Sequence, residues 1–138
     1  MRLLRTFLLF ATPALLAQSP MAKVFDGQIK MIESEVTALA EAMPAAQYGF
    51  APTKGEFKGV RTFGAEVKHI AVANYALGGG IPVEKPPINL SGPDTPPEIK
   101  SKGEIMKFLN DSLAYAHKAL NSITDANVLE PIKAPVRQ

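Results

Sequence analysis

From Val24 to Met43 the apolar residues Phe25, Ile29, Ile32, Val36, Leu39 and Met43 recur at alternating steps of four and three, which gathers them into one stripe of an amphipathic helix. Asp26, Lys30, Glu33, Glu35 and Glu41 fall between them and are assigned to the solvated face, and Pro44 ends the run. At about 1.5 Å per residue this helix reaches about 30 Å, a length that suits a bundle. A second helix is predicted from about Thr62, a candidate N-cap, to Leu77, with Phe63, Val67, Ile70, Asn74 and Leu77 on its stripe. Gly78 to Gly80 follow, and the positive φ open to glycine predicts the stop there. A third helix starts at Ser101, where Ser101-Lys102-Gly103-Glu104 fits a capping box. Ile105, Leu109, Ser112, Ala116, Leu120 and Ile123 form its inward stripe, widened by Phe108 and Leu113, and the pattern fades between Ser122 and Asp125.

The stretches between helices lack a period. Ala45 to Gly59 is rich in Pro, Gly and aromatics and reads as an ordered loop that packs Tyr48 and Phe50 over the end of the bundle. Ile81 to Pro97 holds six of the twelve prolines and must run extended, a length typical of functional or crossover segments. Asn127 to Gln138, with Pro131 and Pro135, reads as a tail. The fold class is therefore all-α, with three helices, no strand and no internal repeat. The broad stripes and the long crossover suit a bundle of four helices better than one of three.

The N-terminus follows a different pattern. Arg2 and Arg5 precede a stretch from Thr6 to Ala17 that carries no charge, the layout of a secretory signal peptide. Spanning a bilayer takes roughly 20 apolar residues, so no stable membrane span is expected once the leader is removed. Cleavage is expected after Ala17, with Ala22 as the second candidate. The division is thus a signal peptide over 1–17, a helical domain over 18–130 and a tail over 131–138, in a protein exported to the periplasm or secreted. Of the 138 residues 15 are Lys or Arg and 13 Asp or Glu. Arg2 and Arg5 account for the whole excess, and the remaining charges are interleaved without a basic run, so no nucleic-acid partner is expected. The absence of cysteine excludes a disulfide scaffold, a zinc knuckle, a thiol nucleophile and a lipidated N-terminus. Any metal must rest on His, Asp or Glu.

Two histidines are present, His69 and His117. His69 lies on the second helix next to Ile70, and Glu66 three residues earlier shares its face. A neutral imidazole projecting from a helix into a bundle is a metal ligand by type, and a hydrogen-bonded boundary residue by frequency. His117 reads as a partly exposed surface residue. Asn74, an amide on an apolar stripe, needs partners, and either ties its helix to a loop or supports a site near His69. No Ser-His-Asp arrangement, HExxH pair or phosphate-binding glycine loop occurs, since Gly78-Gly79-Gly80 follows a helix and not a strand.

Met43-Pro44, Tyr48-Gly49-Phe50-Ala51-Pro52-Thr53, Val60-Arg61-Thr62-Phe63-Gly64 and His69-Ile70-Ala71-Val72-Ala73-Asn74-Tyr75 together resemble the DinB-like family, in its exported bacterial form, over about residues 24 to 130. The resemblance implies an up-down four-helix bundle with its long connection between helices two and three. It also implies a divalent metal, nickel or zinc, held by one histidine from helix two and an His-x-x-x-His pair from helix four. His69 matches the first ligand, with Glu66 and Asn74 as weaker candidates beside it, and the pair has no counterpart here. The expectation is a three-helix portion of that bundle with an incomplete metal site and low metal occupancy. An apolar groove stands where the fourth helix would lie, either because the chain is truncated or because a second copy fills the groove as a homodimer. The resemblance implies metal-dependent transferase or hydrolase activity for intact relatives and leaves open whether this chain is an enzyme; alone it is expected to be inactive, with no small-molecule substrate assigned. The alternative is a non-enzymatic helical binding or structural module in the periplasm.

Overall fold

The computed structural model describes residues 17–81, 85–89 and 96–132; the leader expected over residues 1–17 lies outside them except for Ala17. The helices are α1 (Pro20–Ala42), α2 (Phe63–Gly78) and α3 (Lys102–Asn121), with two single 3₁₀ turns, Ala45–Gln47 and Gly55–Phe57, between α1 and α2. No strand occurs among the described residues beyond one isolated bridge between Gln18 and Thr124.

Each helix start has a local cause. Thr62 caps α2 by accepting from the Ala65 N–H at 3.2 Å. At α3 the Ser101 N–H donates to Glu104 Oε2 at 2.9 Å while the Glu104 N–H donates to Ser101 Oγ at 3.3 Å, the capping box read from the sequence. α1 begins one turn earlier than its apolar period indicates. Ser19 caps it by accepting from the Ala22 N–H at 3.1 Å, and Pro20 occupies the first turn, where a missing N–H costs nothing.

α3 lies against both α2 and α1 and supplies most of the core. Leu109 is fully buried, flanked by Ile105, Phe108, Leu113 and Tyr115, and Val67, Ala71 and Tyr75 meet them from α2. The Tyr75 ring packs on those of Phe108 and Tyr115 with centroids 5.5 and 5.2 Å away. Ala119 also belongs to the buried face, while Leu120 is half-buried.

The inward faces of α1 and α2 are rotated from the stripes expected. On α1 the shielded row is Ala22, Asp26, Ile29, Glu33, Val36, Ala40 and Met43, a regular four-three series offset by about 50° from the apolar one. Phe25, Ile32 and Leu39 consequently face outward. On α2 the buried seam is Gly64, Val67, Ala71, Tyr75 and Gly78, and Leu77 is exposed. In both helices small residues take the seam because they let the backbones approach α3, which large side chains at those positions would prevent.

The glycines after α2 act through space and not through φ. Among the described residues the positive-φ glycines are Gly55 and Gly59, in the loop before α2, whereas Gly79 is right-handed at φ −68°. A Cβ on Gly78 would lie 2.8 Å from Tyr115 Cε1, and one on Gly79 2.8 Å from Pro86 Cγ. Close packing of the following segment is what requires glycine there.

Tyr48 organises the loop as expected. Its buried hydroxyl donates to the Ala40 carbonyl at 2.7 Å, near the C-terminal end of α1, and its ring meets Phe63 edge-on at 5.2 Å. The Gly64 and Phe63 N–H groups, free donors of the first turn of α2, donate to the Tyr48 and Phe50 carbonyls at 2.8 and 2.9 Å. The Phe50 side chain does not join the packing and stays exposed. From the proline-rich connection, Ile88 and Ile99 reach the core. Past α3 the chain does not pass at once into a tail. Asn127 holds a turn, accepting from the Thr124 N–H at 2.7 Å and donating to the Ser122 carbonyl at 3.0 Å.

Candidate functional site

His69 is half-buried on α2, two residues from both Val67 and Ala71. That places it about 200° round the helix from either, on the side turned away from α3. It makes no hydrogen bond or ion pair among the described residues. Glu66, on the same side, is exposed and turned toward Arg61, with Arg61 Nη1 3.6 Å from Glu66 Oε2. Asn74 is committed elsewhere: its Nδ2 donates to Ser112 Oγ at 3.1 Å, and the Ser112 hydroxyl donates to the Leu109 carbonyl at 2.7 Å. The amide therefore ties α2 to α3, a helix and not a loop, and satisfies a fully buried serine. The three candidates share a helix, yet the structure does not bring them together around one point.

A more organised polar cluster surrounds His117. Its Nδ1 lies 2.5 Å from Asp26 Oδ1 and its Nε2 3.0 Å from Glu33 Oε2, while Lys30 Nζ sits 2.8 Å from the other Asp26 oxygen. Asp26 and Glu33 are seven residues apart on α1 and project from one face onto α3. The His117 side chain is 18% exposed and that of Asp26 11%, so the expected surface histidine is the centre of a largely shielded clasp between α1 and α3. Loss of hydration pulls the imidazole pKa down, but the bonds to Asp26 and Glu33 outweigh it and hold the group above its ordinary value. Lys30 first and His117 second hold the Asp26 carboxyl below the usual carboxylate range. When it carries its proton, the imidazole bridges two carboxylates. With both ring nitrogens so engaged, and the two acids on opposite edges of the ring, the cluster is neither a general base nor a chelate.

Among the described residues no set of three His, Asp or Glu side chains is placed to hold a metal ion. Open clefts lie elsewhere, two of them against the core helices. One of about 470 Å³ runs along Tyr75, Asp111, Tyr115 and Lys118 of α2 and α3 to Lys85 and Pro87, and one of about 270 Å³ lies beside Tyr48, Lys68 and Ile105. Neither is lined by His69, Glu66 or Asn74. No helix among the described residues is long and apolar enough to cross a membrane.

Sequence periodicity missed the clasp because the charged residues of α1 were assigned outward. The signal was available: Asp26 and Glu33 occupy the same four-three row as Ala22, Ile29, Val36 and Ala40.

No curated protein and no solved structure matches the chain. The model of the DinB superfamily matches residues 28–138, which takes in all three described helices except the first turns of α1. The all-helical architecture of the described residues agrees with that match, and the chain belongs to the DinB superfamily.

Proposed function

We propose that this chain is an exported helical module of the DinB superfamily that acts by binding and not by catalysis at a metal centre of its own. The observation that carries the reading is the isolation of His69. A catalytic divalent site usually takes three protein ligands and keeps one position open. Here Glu66 turns to Arg61 and Asn74 to Ser112, and the described residues do not fit a nickel or zinc centre. Export is supported by the charged and then apolar leader pattern of residues 1–17. Metal analysis of the purified protein after incubation with nickel and with zinc tests the reading, with His69→Ala as control. The expected result is substoichiometric metal that the substitution leaves unchanged. One metal per chain, lost in the His69→Ala variant, would restore the metalloprotein reading.

The surface through which the module binds is the outer face of α1, and its occupant is a second copy of the chain. Met21, Val24, Phe25, Met31, Ile32 and Leu39 are each 49–62% exposed on that one helix. Together they offer on the order of 600 Å² of apolar surface, at the upper end of what a monomer ordinarily leaves open. Two such faces would bury about 1,200 Å², the lower edge of a standard specific interface. Light scattering is expected to show a dimer that Ile32→Glu combined with Leu39→Glu converts into a folded monomer. A wild-type chain that stays monomeric at every concentration refutes the assignment.

A further inference from the structure

Export leaves open where the leader is removed, and the two candidate bonds differ in what the fold loses. Ala17 is exposed and nothing packs it into the core. The chain enters the structure at the next residue. Gln18 is half-buried, with its Nε2 3.4 Å from the Leu120 carbonyl, and the Ser19 N–H donates to the Ile123 carbonyl at 2.9 Å. Ser19 and Ala22 are each 1% exposed, and Ser19 caps α1 through the Ala22 N–H.

A cut after Ala22 would remove all of these at once: the cap, the two contacts with the end of α3 and two buried residues. It would also place the new α-ammonium of Lys23 in the first turn of α1, at the positive end of the helix dipole. A cut after Ala17 removes none of them. It places the new α-ammonium one residue before the Ser19–Ile123 bond, where the last carbonyls of α3 carry the negative end of that helix's dipole.

We propose that a signal peptidase hydrolyses the Ala17–Gln18 bond and that Gln18, as the new N-terminus, docks on the C-terminal end of α3. Water supplies the oxygen that ends the leader as the Ala17 carboxylate. The C–N bond breaks, and the Gln18 nitrogen leaves as an amine that takes a proton. The folded body therefore begins where the leader stops. The assignment rests on the export reading above and goes beyond it by naming the bond.

The test is the intact mass of the full-length chain expressed in a bacterium and recovered from the exported fraction. The expected mass is that of residues 18–138, or that value less one ammonia if the N-terminal glutamine has cyclised, since either form starts at Gln18. An exported chain that starts at Lys23, or at any other residue, overturns the assignment while leaving export intact. A chain retained in the cell with its leader uncut refutes export itself and this assignment with it. Ala17→Arg, which puts a large charged residue next to the scissile bond, is expected to abolish processing; normal processing of that variant also overturns the assignment.

Discussion

His117→Ala should destabilise the fold, and the loss should depend on pH in a direction the geometry dictates. The imidazole is bonded on both edges, to Asp26 at 2.5 Å and to Glu33 at 3.0 Å, with its side chain 18% exposed. Bonds to charged groups contribute about 1.5–3 kcal/mol each when shielded. Glu33 is 37% exposed and Asp26 keeps Lys30, so the whole clasp is placed at about 2 kcal/mol, near the strength of one such bond. For a domain of this size that is a fall in Tm on the order of 5–10 °C. Because the folded pKa of His117 lies above its unfolded value, its contribution is fully present below about pH 6.5 and is lost as pH rises through the folded pKa. Asp26 has the opposite sign: its folded pKa is lowered, so its contribution is present above about pH 4 and is lost as pH falls through the folded value. The two overlap fully between about pH 4 and 6.5. Thermal unfolding of wild type and variant followed by circular dichroism should show the largest gap at pH 5.5 and a smaller one at pH 9. A gap that is equal at both, or larger at pH 9, would refute a charged clasp and leave only packing.

Further outcomes follow from single contacts. Tyr48→Phe removes the donor to the Ala40 carbonyl and should cost about 1 kcal/mol in urea unfolding with an unchanged m-value. Gly64→Ala puts a methyl 3.1 Å from both the Tyr48 carbonyl oxygen and its ring, and 3.2 Å from Ile105, so a loss of about 1–3 kcal/mol is expected; a neutral result would mean that the Tyr48 loop yields freely. Leu109→Ala empties the centre of the core and should cost about 2–5 kcal/mol in urea unfolding. Asn74→Ala should cost about 1 kcal/mol and leave metal uptake unchanged, since the amide serves Ser112.

Features with a local cause could be read from the sequence, and features set by distant contacts could not. The capping box at Ser101 and the cap at Thr62 depend on residues three apart, and both formed as expected. The apolar period found the helices but not their orientation. In a bundle each helix has more than one neighbour, and hydrophobicity alone does not tell which neighbour a given residue meets. Phe25, Ile32 and Leu39 sit about 70° from the centre of the row that packs on α3. That row was obscured because it contains two acids and two alanines, chosen by a histidine about 90 residues away and by the closeness of the backbones. His69 was located as a half-buried helical histidine, but its relation to Glu66 and Asn74 turns on Arg61 and Ser112, which no spacing rule connects to it.

The two seams of α3 differ in material, and this has a consequence for how the chain comes apart. Toward α2 the seam is aromatic and aliphatic, built on Val67, Tyr75, Phe108 and Leu109. Toward α1 it is thinner, with alanines, the partly buried Ile29, Val36 and Met43, and an ion cluster that weakens as imidazole deprotonates. Opening need not then be uniform: α1 is the part that should swing free first, and alkaline solution should free it sooner. A helix that detaches as a unit, with an oily outer side of its own, is also the element two chains would exchange, so crowded and alkaline conditions would favour a swapped assembly over an ordinary one.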